Sequence, residues 1–239
     1  MNVNANDIFH VHTYRCGHAQ MVPDEAYIQK AIEVGASGIW FTDHAPFPGD
    51  PFGNRMNYTD LDEYLESLSL LKHRYVDKIA VHIGLEIEYF PSFDHEGYYK
   101  ELRSRKELEI LLLGQHMAET TPGNYTFAWS KERLAKEEYL VLGNAQIQGM
   151  ESGYFDAVAH PDRIFRGQDA WSQEMAEISK EIIEIACKSK IPLEVNESSK
   201  KQKKQYWQEF WELASEAKQI HGLDAHSLGE IRLIDSIDG

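Results

Sequence analysis

The chain has few cysteines and no long apolar segment. Cys16 and Cys187 are the only thiols among its 239 residues, and two thiols cannot form the disulfide framework of a small secreted protein. No apolar run approaches the roughly 18 residues that a membrane-spanning helix needs. Residues 1–13 lack a basic region followed by an apolar stretch, so we expect no signal peptide. These absences predict a protein of the reducing cytoplasm with no membrane partner.

Basic residues are also scarce relative to acidic ones. The chain has 24 Lys and Arg against 39 Asp and Glu, which gives a formal net charge of -15. Proteins that bind nucleic acid neutralise its phosphates with clustered Lys and Arg, so we expect no nucleic-acid partner. A small phosphorylated substrate is still compatible with this charge, because bound divalent metals would make one pocket locally positive. The oligomeric state is left open.

Apolar runs alternate with helical patterns along most of the chain. Seven runs are typical of strands, and they cover 7–13, 38–44, 79–89, 108–116, 154–161, 191–197 and 220–227. The helical patterns lie at 23–34, 59–75, 130–150, 171–188 and around 207–217. Such βα alternation predicts a parallel sheet that is covered by helices. There is no repeat or linker, so we expect a single α/β domain over residues 1–239.

Nine potential metal ligands fall at or just beyond the ends of these runs. His10 and His12 are two apart in the first run, so their side chains should project from one face of a strand. Asp224 and His226 repeat this spacing in the last run. A closed barrel brings all strand ends to one mouth, whereas an open sheet does not, so the placement favours a barrel. The nine are His10, His12, His18, His44, Glu86, His116, His160, Asp224 and His226.

Histidines and carboxylates together predict a site for several divalent metals. Imidazole nitrogen beside carboxylate oxygen suits Zn, Mn or Fe in divalent form. A single HxH pair is a weak signal, because isolated histidines are more often packed or solvated than bound to metal. Without a shared role in metal binding, each polar residue at these several strand ends would need a separate reason in packing. We therefore interpret the set as a multinuclear centre. Cys16, which lies between His12 and His18, is interpreted as a structural or incidental thiol rather than as a ligand or nucleophile.

The segments that carry these residues resemble the PHP (polymerase and histidinol phosphatase) family of metal-dependent phosphoesterases over essentially the whole chain. They are HVHT, TDHAP, GLEIEY, GQH, AHPDR and LDAHS. The resemblance implies a distorted seven-stranded (β/α)7 barrel with two or three divalent metal ions. It also implies three ligand groups: His10, His12, Glu86 and Asp224 for one metal, Glu86, His116 and His160 for the second, and His18, His44 and His226 for the third.

Within that family, TDHAP with its Pro/Gly-rich loop, and GLEIEYFP, look most like histidinol-phosphate phosphatases. Two segments depart from their pattern. YRCGHA stands where such proteins often have FCPHG, and GQH stands where they commonly have SVH or SLH. Both departures keep the ligands and change the residues around them.

The resemblance implies hydrolysis of a phosphate monoester, with L-histidinol phosphate as the expected substrate and histidine biosynthesis as its setting. A hydroxide that bridges the metals would attack phosphorus, since a metal lowers the pKa of bound water to about 7. We expect Asp224, His226 and Arg163 to act in catalysis. Arg163, at the end of HPDR, is the first candidate for a bidentate contact to the substrate phosphate. The further candidates for substrate binding are Arg15, Arg55 and Asn196.

Three other functions fit parts of the pattern. The first is a PHP phosphodiesterase or nucleotide phosphatase that acts on another small phosphate ester. The second is a metal-binding protein without turnover, although such a protein would be expected to lose ligands, and all nine positions are filled here. The third is an amidohydrolase, whose sites often hold a carboxylated lysine, and no lysine stands at a strand end here. Phosphate release with metals restored discriminates among them.

Overall fold

The structure, a computed structural model, describes residues 1–202 and 204–234, and the chain divides into two compact units. The first unit comprises Met1–Glu86, Arg105–Leu111 and the chain from His221 onwards. The second comprises Ile87–Ser104 and Leu112–Ile220. The single domain over residues 1–239 stays a prediction, and residues 203 and 235–239 of that range lie outside the described part.

Nine strands lie in the described residues. In chain order, β1 to β9 are Asp7–Val11, Gly38–His44, Ala80–Ile87, Ile110–Leu113, Met117–Thr121, Asn124–Phe127, Ala157–Val158, Leu193–Asn196 and Gln219–Gly222. Seven of them form a sheet in the order β1-β2-β3-β4-β7-β8-β9, and β5 and β6 form a separate pair. The pairings of β1 with β2, β2 with β3, β4 with β7 and β7 with β8 are parallel. Each predicted run overlaps one strand of this sheet.

Strand β2 lies where the sequence predicted it, at Gly38–His44. Ile39 and Phe41 are β-branched and aromatic, types that pack well on a pleated surface, and both are buried. Parallel strands are commonly covered on both faces, which explains why Ile39, Trp40 and Phe41 are apolar in succession. The register with β3 then sets His44 opposite Glu86.

Strand β1 is interrupted by a bulge at the first predicted ligand. Its register with β2 shifts between Ile8 and Val11, and His10 has a left-handed backbone with a φ of 68°. The chain after β9 pairs in parallel with β1 through a bridge from Val11 to Ala225. Backbone hydrogen bonds of 2.9–3.0 Å support this pairing. It brings the last predicted ligand pair alongside the first.

Eight α-helices lie in the described residues. In chain order, α1 to α8 are Asp24–Glu33, Leu61–Arg74, Pro91–His95, Tyr98–Ser104, Lys136–Ser152, Gln173–Ser189, Glu197–Lys201 and Gln208–Leu213. Helix α1 is followed by Gly35 with a left-handed φ of 81°, which glycine adopts without steric cost. Helix α6 is capped by the Ser172 side chain, which accepts a hydrogen bond from the Met175 N–H. None of the eight described helices is long and apolar enough to cross a membrane.

The hairpin of β5 and β6 was not predicted from the sequence. Its strands are antiparallel, and Gly123 at the turn has a φ of 79°. The hairpin is followed by a short 3-10 helix, Ala128–Ser130, which includes the start of the predicted helix 130–150. Helix α5 therefore begins later than predicted, at Lys136. The Ala128 N–H donates to the His116 carbonyl at 2.8 Å. The hairpin therefore returns the chain to the predicted ligand His116.

Candidate metal centre

In the first unit, two buried carboxylates meet two buried imidazoles. The Glu86 Oε2 atom lies 3.3 Å from His10 Nε2 and 3.4 Å from His12 Nε2. The Asp224 Oδ1 atom lies 3.7 Å and 3.4 Å from the same two nitrogens. All four side chains are at most 7% exposed. The structure therefore brings together the four residues that were predicted to hold one metal.

Three more histidines lie against this group. His44 Nδ1 is 3.1 Å from Glu86 Oε2, as their strand register leads one to expect. The His226 ring stacks on the rings of His12 and His18, with centroids 4.2 Å and 4.7 Å apart. Seven of the nine predicted ligands thus form one continuous cluster within the first unit.

Ligand atoms in this cluster converge in sets of three. Two sets with all atoms within 4.8 Å of one another match the predicted division among metals: His10, His12 and Glu86, and His18, His44 and His226. A third set adds Cys16 to His12 and His226. Burial first, and then the Asp43 carboxylate, raise the pKa of the Cys16 thiol to about 12. The structural role of Cys16 stays a prediction.

The imidazole nitrogens of the cluster are suited to a metal ion. Both ring nitrogens of His12 and the Nε2 atom of His226 are buried and make no hydrogen bond within the described part of the chain. Burial first, and then the nearby His226 and His10, lower the pKa of His12 to about 3, although Asp224 and Glu86 act in the opposite direction. The His12 ring is therefore neutral at pH 7 and keeps a lone pair for coordination. Buried polar atoms without partners cost free energy, and a divalent ion would satisfy them.

Asp43 anchors the loop that follows His12. Its two carboxylate oxygens accept hydrogen bonds from the Thr13 N–H at 2.8 Å and the Thr13 hydroxyl at 2.7 Å. Complete burial raises the pKa of Asp43 to about 6, although the bonds from Thr13 act in the opposite direction. Asp43 thereby connects the end of β2, which carries His44, to the loop that carries His18.

The second unit carries the other two predicted ligands, His116 and His160, with ring centroids 5.1 Å apart. His116 Nδ1 lies within hydrogen-bonding distance of Glu88 Oε1, at 3.2 Å, and the backbone N–H of His160 donates to Glu194 Oε2 at 3.0 Å. His160 has a left-handed φ of 30° where the short strand β7 gives way to the 3-10 helix Pro161–Phe165. The Glu88 carboxylate at one ring nitrogen of His116 orients this histidine so that the other ring nitrogen can bind metal.

Arg163 is buried and is held by polar side chains of the second unit. Its Nε and Nη2 groups donate to the Ser199 hydroxyl at 3.0 Å and 2.7 Å, and Nη2 also donates to Asn196 Oδ1 at 2.8 Å. Its guanidinium lies 5.8 Å from the centroid of the Trp129 ring. Asn196 also donates to Glu194 at 3.0 Å. Asn196, a predicted substrate ligand, is thus engaged in supporting Arg163, while contact of either residue with substrate stays a prediction.

Arg15, another predicted substrate ligand, is engaged by two carboxylates of the first unit. Its Nη1 group donates to both oxygens of Asp24 at 2.7 Å and 2.9 Å, and its Nε and Nη2 groups donate to Glu63 at 3.0 Å and 3.1 Å. Burial opposes the charged form, but these carboxylates hold the pKa of Arg15 above its usual value. The contacts favour a structural role, and substrate binding by Arg15 stays a prediction.

Arg55 lies half-buried in the Pro/Gly-rich loop after β2. Its Nη1 group donates to the Ala45 carbonyl at 3.0 Å, and its guanidinium lies 5.5 Å and 5.3 Å from the rings of Phe47 and Phe52. These contacts attach the guanidinium to its own loop. Substrate binding by Arg55 also stays a prediction.

Two residues beside the predicted ligands were missed by sequence analysis. The Trp129 ring lies 5.6 Å from the His116 ring, and Ser199 holds Arg163. A usable signal for Trp129 is a large aromatic residue that follows a Pro-Gly turn in a polar stretch. For Ser199, the signal is Asn196 three residues earlier. An Asn at that spacing caps a helix, and here its side chain accepts a hydrogen bond from the Ser199 N–H at the start of α7.

The sequence model of the PHP domain family matches residues 9–198, which is more than half of the chain. The chain belongs to this family. The predicted membership is confirmed, and the match covers all predicted ligands except the last two.

Two curated relatives carry the same kind of name. A "Probable histidinol-phosphatase" of Deinococcus radiodurans is 31% identical over 166 residues, which are 64% of this chain and 59% of that protein. A "Histidinol-phosphatase" of Bacillus subtilis is 32% identical over 93 residues, which are 36% of this chain and 35% of that protein. The chain thus matches less than two thirds of the length of these relatives.

Among solved structures, the histidinol phosphate phosphatase of Lactococcus lactis, complexed with zinc, L-histidinol and phosphate, superposes with a TM-score of 0.73. The alignment covers 94% of this chain and 87% of that chain, at 19% sequence identity. A likeness at this identity concerns the fold. It confirms the predicted fold class, a seven-stranded (β/α)7 barrel of PHP type.

Proposed function

We propose that the protein is a metal-dependent phosphomonoesterase that hydrolyses L-histidinol phosphate to L-histidinol and phosphate. The observation that carries this proposal is the cluster of the first unit, in which Glu86 and Asp224 lie within 3.7 Å of His10 and His12. Membership of the PHP family supports the metal-dependent chemistry, and the names of the two curated relatives support the substrate.

We propose that the nine predicted residues are ligands for two or three divalent ions of zinc, manganese or iron. Seven belong to the first unit, and His116 and His160 belong to the second. Neutral imidazoles and ionised carboxylates are the forms that bind such ions, and burial keeps His12 neutral. Bound ions would lower the pKa of a water nucleophile and offset the charge that develops on the phosphoryl oxygens.

Arg163 is proposed to bind the phosphoryl group of the substrate. Ser199 and Asn196 hold its guanidinium, so little conformational freedom remains to be lost when an anion binds. A positive charge that is already in place when negative charge develops lowers the barrier to reaction. Asp224 and His226 stay catalytic candidates because of their position in the cluster of the first unit.

The test is phosphate release by protein that has been stripped of metal and reconstituted with zinc, manganese or iron. The substrates are L-histidinol phosphate, nucleoside monophosphates and cyclic phosphodiesters. We expect turnover of L-histidinol phosphate, and loss of that turnover in Glu86→Gln. Glu109→Gln is the matched control, because Glu109 makes its contacts with His82 and Lys72, outside the cluster.

Different outcomes separate the alternatives. Cleavage of a cyclic diester yields a monoester and no free phosphate, so it is followed by chromatography of the products. Formation of that monoester without hydrolysis of any monoester would make the protein a phosphodiesterase. A reconstituted protein that binds metal and is inert on the whole panel would be a binding protein, and the proposal would be wrong.

We propose further that the protein acts in the cytoplasm on a small phosphorylated substrate, with no membrane or nucleic-acid partner. Both cysteines are free thiols, with Cys16 buried and Cys187 exposed, which suits a reducing compartment. Cell fractionation tests the location: recovery with membranes or in an oxidising compartment would contradict it.

A further inference from the structure

The side chain of Gln115 connects the segment that follows strand β3 to the segment that follows strand β4. Gln115 is 4% exposed and directly precedes His116. Its Oε1 atom accepts a hydrogen bond from the Tyr89 N–H at 2.9 Å, and its Nε2 group donates to the Tyr89 carbonyl at 3.3 Å and the Met117 carbonyl at 2.9 Å. The Gln115 side-chain amide thus pairs with both backbone polar groups of Tyr89.

A tyrosine holds the same segment from another direction. The Tyr99 hydroxyl donates to the Glu88 carbonyl and accepts a hydrogen bond from the Phe90 N–H, each at 2.8 Å. Together, Gln115 and Tyr99 satisfy four consecutive backbone groups, from the Glu88 carbonyl to the Phe90 N–H. Buried backbone groups need such partners, so this irregular segment depends on the two side chains.

The segment that is held in this way carries the carboxylate beside a predicted metal ligand. Glu88 is 1% exposed, and its Oε1 atom lies 3.2 Å from His116 Nδ1. Gln115 makes hydrogen bonds with the backbone of Tyr89, which follows Glu88, and with the backbone of Met117, which follows His116. A rotation of either backbone would therefore move Glu88 away from the His116 ring.

We infer that Gln115 is a positioning residue for His116. It holds Glu88 against the His116 Nδ1 atom, and this contact directs the Nε2 atom towards a metal ion. A leucine at this position would have no group that can make these bonds. The inference rests on the metal-binding role of His116 in the proposed function.

The test is a zinc titration of the apoprotein for wild type, Gln115→Leu and Gln168→Leu. Gln168 is a matched control, since it is 6% exposed and its Nε2 group donates to the Leu134 carbonyl at 2.7 Å. Both variants therefore lose a buried amide. We expect Gln115→Leu to bind one zinc ion about 10- to 100-fold more weakly, the loss that is typical when a group supporting a ligand is removed. The other ions should bind as in wild type, and Gln168→Leu should match wild type throughout.

Several results would overturn the inference. These are equal zinc affinities in wild type and Gln115→Leu, equal losses in the two variants, or a wild type that binds no zinc. If Gln115→Leu does not fold, Gln115→Met replaces it, because methionine is unbranched and adapts to irregular spaces. The titration needs no turnover. A wild type that binds zinc but releases no phosphate would therefore contradict the proposed function, while the Gln115 variants would still decide the inference.

Discussion

Replacement of Arg163 by lysine tests how the substrate phosphate is bound. Lysine keeps the positive charge but lacks the planar fork that makes three hydrogen bonds with Ser199 and Asn196. The lysine ammonium is a compact point charge, so it does not reproduce the bonds that Nε and Nη2 of Arg163 make to these two partners. A hydrogen bond to a charged group is worth about 1.5–3 kcal/mol, so Arg163→Lys should lower kcat/KM by about 10- to 150-fold.

The assay is steady-state phosphate release by metal-reconstituted protein, with kcat and KM determined separately. Arg166→Lys is the control, because the Arg166 guanidinium lies 4.9 Å from the Trp129 ring and donates to the carbonyls of Ala128 and Lys131. It removes a neighbouring guanidinium and leaves Ser199 and Asn196 unaffected. A kcat/KM for Arg163→Lys equal to that of wild type would refute the reasoning. An equal loss in both variants would assign the effect to the local structure around Trp129.

Three further predictions concern metal, packing and pH. Chelation should abolish phosphate release, and zinc, manganese or iron should restore it together with two or three bound ions by elemental analysis; activity that survives chelation would contradict this. In Gly84→Ala, the new Cβ would lie 2.9 Å from the Ile110 carbonyl oxygen, so urea unfolding should show a loss of about 1–3 kcal/mol. Burial would raise the pKa of Glu109, but hydrogen bonds with His82 and Lys72 lower it to about 2. The ionised Glu109 therefore adds to the free energy of unfolding above pH 4.5, and this contribution is lost as pH falls towards 2. Because Glu109 is 30% exposed, Glu109→Gln should reduce this acid-dependent loss by only about 1–2 kcal/mol, and identical pH profiles of unfolding would contradict the assignment.

Residue type and position in the chain were enough to predict the parts of the site that depend on strand order. The run Gly38–His44 is apolar as far as Phe41 and ends in three polar residues, so both the strand and the place of His44 could be predicted. The first and last ligand pairs also meet as predicted. The pairing of the chain after β9 with β1 is the step that brings them together.

The local geometry could not be predicted, because it depends on contacts between distant residues. His10 and His12 were expected on a regular strand, but the structure places His10 in a bulge with a φ of 68°. The two side chains still approach Glu86, by a different backbone path. The engagement of Arg15 depends on Glu63, which lies 48 positions further along the chain, and no local pattern indicates such a partner.

Three predicted ligands lie on strained backbone. His10, Asp224 and His160 have φ values of 68°, 54° and 30°, and a non-glycine residue in such a conformation costs about 1–3 kcal/mol. At these positions glycine would relieve the strain and abolish the ligand at the same time. Laboratory evolution for heat resistance alone would therefore favour loss of function there. A variant with higher thermal stability should therefore keep these three residues and be sought through substitutions at other positions.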